Sequence, residues 1–166
     1  MRNTGKGFVD VSATAGPAFN TAIVARGAAF GDLNNDGQID VVIGVLDSAP
    51  VILRNDGTKN HWLGIRLIGA KSNHDGIGSR VLVTDSSGRR QIFDVTTTGS
   101  YLSANDARIL AGLGTATAVR SIEVRWPSGR VQTLSNPAVD RYLTIMERDA
   151  ANANRQWFGN HRRSPG

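Results

Sequence analysis

Short runs rich in Val, Ile, Leu and Thr recur along the chain between clusters of Gly, Asn, Asp and Ser, a pattern that predicts a mostly antiparallel all-β protein. The clearest run is residues 121–126. There Ile122, Val124 and Trp126 alternate with Ser121, Glu123 and Arg125, so one face should be buried and the other wet. Pro127-Ser128-Gly129 then turns the chain into residues 130–134, which predicts a hairpin. Leu63, Ile65 and Leu67 repeat the same period. By this reading strands are expected at residues 8–12, 27–31, 40–45, 51–54, 62–67, 80–84, 91–97, 108–113, 121–126, 130–134 and 142–147, and helix signals are weak. Trp62 and Trp126 read as core or sheet-packing residues.

A composition shift across Asn55-Asp56-Gly57-Thr58-Lys59-Asn60 marks a boundary. It divides the 166 residues into an N-terminal piece, 1–57, a larger β domain, 58–147, and a tail, 148–166, that is rich in Ala, Asn, Arg and Gly and expected to be disordered. The net charge of +5 changes the picture little, because Arg148, Arg155, Arg162 and Arg163 in the tail face a single Asp149. In the body, basic residues alternate with acids and form no stripe, so no nucleic-acid partner is expected. No stretch is apolar enough to span a bilayer as a helix, and residues 1–16 lack the apolar core of a signal peptide, so nothing in the chain as written would export it. With no cysteine there are no disulfides, cysteine zinc sites or thiol chemistry.

The strongest chemical signal lies in residues 32–40, Asp-Leu-Asn-Asn-Asp-Gly-Gln-Ile-Asp. Oxygen-bearing side chains Asp32, Asn34, Asp36 and Asp40 stand at positions one, three, five and nine, Gly37 stands at six, and the carbonyl of Gln38 is available at seven. A calcium ion takes six to eight oxygens, and a tight loop turns alternate side chains inward to supply them. Gly37 allows the left-handed backbone that the sharp turn requires. Position twelve, where a helical EF-hand places a bidentate Glu, is Ile43 in a strand-like run, so the loop is not an EF-hand. Three carboxylates crowded together favour a bound cation, predicted here as Ca2+, over an empty turn.

The residues around this loop resemble a known repeat. Arg26-Gly27-Ala28-Ala29-Phe30-Gly31, the loop, Ile39-Asp40-Val41-Val42-Ile43-Gly44 and Val51-Ile52-Leu53-Arg54-Asn55-Asp56-Gly57 together look like one FG-GAP (VCBS-type) repeat, the unit of integrin-like β-propellers. Gly7-Phe8-Val9-Asp10-Val11-Ser12 is similar to the strand that closes a preceding blade. The rest resembles the ASPIC/UnbV domain that follows such repeats in cartilage-acidic-protein-like proteins. The matching pieces are Asn60-His61-Trp62-Leu63, the segment 71–81, Gly99-Ser100-Tyr101-Leu102-Ser103-Ala104-Asn105-Asp106, Gly112-Leu113-Gly114 and the segment 124–130. The resemblance implies a propeller-type blade fragment followed by a β-sandwich or barrel-like domain. It further implies a non-catalytic interaction or adhesion role, outside the cell or in its envelope, toward a protein or glycan. A propeller needs about four to eight blades, so the missing ones would have to come from elsewhere, another chain included. The alternative is a carbohydrate-binding or carbohydrate-active β protein.

Other polar clusters have plainer readings. Ser72-Asn73-His74-Asp75-Gly76 fits a β-turn better than a second ion loop, and Tyr101, Ser103, Asn105 and Asp106 fit an Asx-type turn better than a glycan or peptide site. No catalytic residues are expected. The histidines His61, His74 and His161 accompany no nucleophile motif, and no phosphate-binding glycine loop is present.

Overall fold

The computed structural model describes residues 1–57 and 59–148, and the expected disorder of the tail falls almost wholly outside them. The chain is all-β. The first pieces are short: β1 (Arg2–Asn3) pairs with β2 (Phe8–Val9), and 3-10 turns follow at Ser12–Thr14 and Pro17–Asn20. The strand expected over 8–12 stops early because Asp10 Oδ1 accepts bonds from the Ser12 amide (2.9 Å) and hydroxyl (2.7 Å), a local turn that competes with pairing.

β3 (Ala25–Gly31), β4 (Asp40–Val45) and β5 (Val51–Leu53) then form an antiparallel sheet in that order. Its register sets Ala29 beside Val42 and Val42 beside Ile52, with Phe30 beside Val41 and Val41 beside Leu53. Paired residues share a face, so both faces of this sheet are apolar. Yet within residues 1–57 only Asp32, Gly37 and Asp40 are buried, two in the loop between β3 and β4 and the third at the first position of β4.

The core lies further along. β6 (His61–Ile68), β9 (Ile109–Gly114) and β12 (Tyr142–Met146) make one sheet in the order β12-β6-β9, with β12 parallel to β6. β7 (Arg80–Asp85), β8 (Arg90–Asp94), β10 (Val119–Arg125) and β11 (Val131–Ser135) make the other, in the order β11-β10-β7-β8. Alternate residues of both sheets meet between them: Leu63, Ile65 and Leu67 from β6, Val81 and Val83 from β7, and Ile122 and Val124 from β10. The hairpin expected at Pro127-Ser128-Gly129 joins β10 to β11, with Gly129 at φ 84° and Trp126 buried beside it.

Glu147 fastens the end of β12. The residue is only 5 % exposed. It accepts the amides of Ala70, Lys71 and Ser72 (2.8, 2.8 and 2.7 Å), the Ser72 hydroxyl (3.1 Å) and the Ser128 hydroxyl. Burial alone would raise its pKa, but the Ser128 hydroxyl and the three amides outweigh that and hold it at about 2. A folded-state value depressed below the ordinary 4.5 contributes stability above that pH, and the contribution is lost as the pH falls toward 2. Glu147→Gln is therefore expected to cost about 2 kcal/mol at neutral pH. Urea unfolding should show that gap shrinking at pH 3, and a gap of constant size would contradict the assignment.

Candidate functional site

Where the loop of residues 32–40 meets the sandwich, the structure brings its chemistry together. The loop closes on itself first. Asp32 Oδ1 accepts the Asp36 amide (3.1 Å) and Oδ2 accepts the Gly37 amide (2.8 Å). Asn34 Oδ1 also lies 3.3 Å from the Asp36 amide, and Asn34 Nδ2 donates to Asp36 Oδ2 (2.7 Å). Asp36 Oδ1 accepts the Gln38 amide (2.9 Å). Positions one, three and five are thus gathered about one turn, and Asn35 and Gly37 adopt the positive φ values (60° and 86°) that the turn needs.

Asp40 does something different. Its Oδ2 accepts the Leu33 amide (2.9 Å) and its Oδ1 the Asn55 amide (2.8 Å), so it braces the loop entry against the second Asn-Asp-Gly turn, where the Gln38 side chain packs on Gly57. Among the described residues no three His, Cys, Asp or Glu side chains come together as a metal-binding group. Asp32, Asn34 and Asp36 suit a calcium ion nonetheless, because a carboxylate oxygen that accepts one amide keeps a second lone pair.

The back of the loop is bonded to the outer face of the β12-β6-β9 sheet. Tyr142 from β12 donates its hydroxyl to Asp32 Oδ2 (2.8 Å). Burial, and then that carboxylate, raise the phenol pKa, which keeps the hydroxyl a donor. Arg108, just before β9, donates Nη1 to Asn35 Oδ1 (2.6 Å) and Nη2 to the Asp32 carbonyl (2.7 Å). Its Nε donates to Asp106 Oδ2 (2.7 Å), and the guanidinium stands 4.4 Å over the Tyr142 ring. The Asp106 bond raises the Arg108 pKa further, so the fork is permanently charged. Gly37 rests on the Trp62 indole, and Gly64 on β6 leaves room for Tyr142 to lie across it; a Cβ at either glycine would overlap the ring. Trp62 meets Tyr142 edge-on at 5.4 Å.

The cluster at 101–106 closes the same seam. Ser103 Oγ accepts the Ala28 amide (2.9 Å), Asn105 Oδ1 accepts the Phe30 amide (3.0 Å), and the Asp106 amide donates to the Phe30 carbonyl (2.9 Å). This segment caps the free edge of β3, which would otherwise offer unpaired backbone groups to other chains. Leu102 takes a positive φ of 51° to make that approach. The spacing of Ser103, Asn105 and Asp106 hinted at a turn but carried no sign of its partner seventy-odd residues away.

Beside the docked loop lies an open cleft of about 930 Å³, lined on the loop side by Asn35 and on the sandwich side by Trp62, Arg66, Asp75, Arg141 and Thr144 among others. His61 Nδ1 and Asp140 Oδ2 pair near it at 2.7 Å, a contact that lowers the Asp140 pKa. The turn at 72–76 is the one expected: the Gly76 amide donates to the Asn73 carbonyl (3.0 Å).

Fold and seam define an all-β protein in which a β-sandwich carries, on the outside of one sheet, the acidic loop of a preceding antiparallel sheet. Residues 69–152, about half the chain, match the family described as ASPIC and UnbV, and the chain belongs to that family. The match opens just after β6, although Leu63, Ile65 and Leu67 of that strand are integral to the core. No curated protein matches the chain.

Proposed function

We propose that this chain is a non-catalytic interaction module of the extracellular or cell-envelope type, in which a calcium ion held by residues 32–40 locks the β3–β5 sheet to the ASPIC/UnbV sandwich. One observation carries the reading: the loop gathers Asp32, Asn34 and Asp36 about one turn and is also the only buried element of residues 1–57. Asp32, Asn34, Asp36 and the Gln38 carbonyl would hold the ion, which supplies a charge that offsets the carboxylates and fixes the loop, while Asp40, the fifth ligand expected from spacing, braces the loop through the Leu33 and Asn55 amides. Strand, loop, strand and the 55–57 turn follow in the order of an FG-GAP (VCBS-type) repeat. Apolar residues on both faces of the β3–β5 sheet support its being one blade, covered in the assembled protein by further blades or a partner. The carbohydrate-binding reading gains nothing from the seam, where Gly37 lies on Trp62 and Arg108 stands over Tyr142.

Calorimetric titration with calcium, paired with thermal unfolding, tests this. The intact chain is expected to bind one ion and to unfold several degrees higher with calcium at a hundred times its Kd, where mass action adds about 2.7 kcal/mol. Asp36→Ala should abolish both effects. Equal behaviour of the two proteins would rule the ion out of this loop.

A further inference from the structure

We propose that the cleft on the outer face of the β12-β6-β9 sheet binds an acidic peptide segment, with Arg66 and Arg141 as its anchors. The inference depends on the seam geometry and not on calcium. Six charged residues line the cleft: Arg66, Arg108, Arg141, Asp75, Asp106 and Asp140. Four are already committed. Arg108 pairs with Asp106 (2.6 Å), Asp140 with His61 (2.7 Å), and Asp75 with His74 (3.0 Å). The guanidiniums of Arg66 and Arg141 have no partner among the described residues, and both residues are exposed. The cleft therefore presents two guanidiniums that no carboxylate among the described residues bonds, which favours a ligand carrying carboxylates held by forked hydrogen bonds.

The spacing suits a chain better than a small anion. Parallel pairing sets Thr144 beside Arg66 and Leu143 beside Ile65, so Arg141 lies three residues back along the sheet from Arg66. Along the backbone that is roughly 10 Å, and long flexible side chains from two such positions reach carboxylates a few residues apart on an extended peptide. A volume of about 930 Å³, open to solvent, accommodates several residues. An acidic sugar would share the charge chemistry, but Arg108 already stands over the Tyr142 ring and Gly37 rests on Trp62, so the rings that would stack on a pyranose are engaged.

The test titrates the full chain with an acetylated tetraglutamate peptide, at low and at physiological salt, following chemical shifts of the β6, β12 and Arg141 amides. Shifts are expected at Arg66, Arg141 and Thr144, with affinity falling at least tenfold in the Arg66→Gln/Arg141→Gln double variant and unchanged in Arg162→Gln/Arg163→Gln. Both variants alter exposed or tail positions, and a melting curve confirms that each stays folded. Loss of binding in the tail variant instead, or no shifts at all, overturns the proposal. Tighter binding of tetragalacturonate than of the peptide, lost in the same double variant, would replace the peptide with an acidic glycan.

Discussion

Gly37→Ala is expected to undock the N-terminal sheet while leaving the sandwich folded. The residue sits at φ 86°, where a Cβ is strained, and its missing side chain is what lets the loop rest on the Trp62 indole. Backbone strain of about 1 kcal/mol and overpacking of about 1–3 kcal/mol act at one contact, so the docked state should lose some 2–4 kcal/mol. Residues 1–57 have no buried apolar side chain to offset that. Limited proteolysis should then cut within residues 25–57 much faster, with the amides of β7 and β10 still protected. Adding Trp62→Ala removes the overlap but not the strain, and should recover only part of the loss. Unchanged proteolysis of Gly37→Ala would mean that the loop does not dock on Trp62.

Arg108→Ala comes second, and its cost arises from what it leaves behind. The guanidinium joins Asp106, Asn35, the Asp32 carbonyl and the Tyr142 ring at once. Its removal leaves a half-buried Asp106 carboxylate without its cation and the Asp32 carbonyl without a donor, a loss of about 2–4 kcal/mol. Arg108→Lys keeps the charge but cannot fork to three acceptors, so most of the loss should remain. A double-mutant cycle with Asn35→Ala, read by urea unfolding, is expected to show coupling of about 1 kcal/mol across the seam. Additivity of the two changes would show that Arg108 serves the sandwich alone.

The sandwich was legible because its signals are local and repeated. Ile122, Val124 and Trp126 alternate with wetter neighbours, Leu63, Ile65 and Leu67 recur at the same period, and the structure buries those six. Turn chemistry at Pro127-Ser128-Gly129 set the hairpin in the same way. The loop at 32–40 was legible as a candidate from spacing alone, but spacing did not separate Asp40 from the other two carboxylates. Asp40 turns to the amides of Leu33 and Asn55, and the second of these is a tertiary contact that no local pattern encodes. The seam was illegible for a related reason. Arg108, Tyr142 and Trp62 lie on three different strands or their ends, and each reads alone as an ordinary sheet residue; only the parallel placement of β12 beside β6 brings Tyr142 across Gly64 and beneath Arg108. The anion-accepting loop at 70–72 was hidden likewise, since its acceptor, Glu147, arrives from the far end of the domain.

Amide hydrogen exchange with and without calcium tests the central claim most directly, because it reads the seam residue by residue. If the ion locks the loop onto the sandwich, the amides of Ala28, Phe30, Leu33 and Gly37 should gain about tenfold or more in protection with calcium, while core amides such as those of Val83 and Ile122 stay as they were. Protection that is equal in both conditions at the loop and at β3 would contradict the account and leave the seam held by Arg108, Tyr142 and Trp62 without an ion.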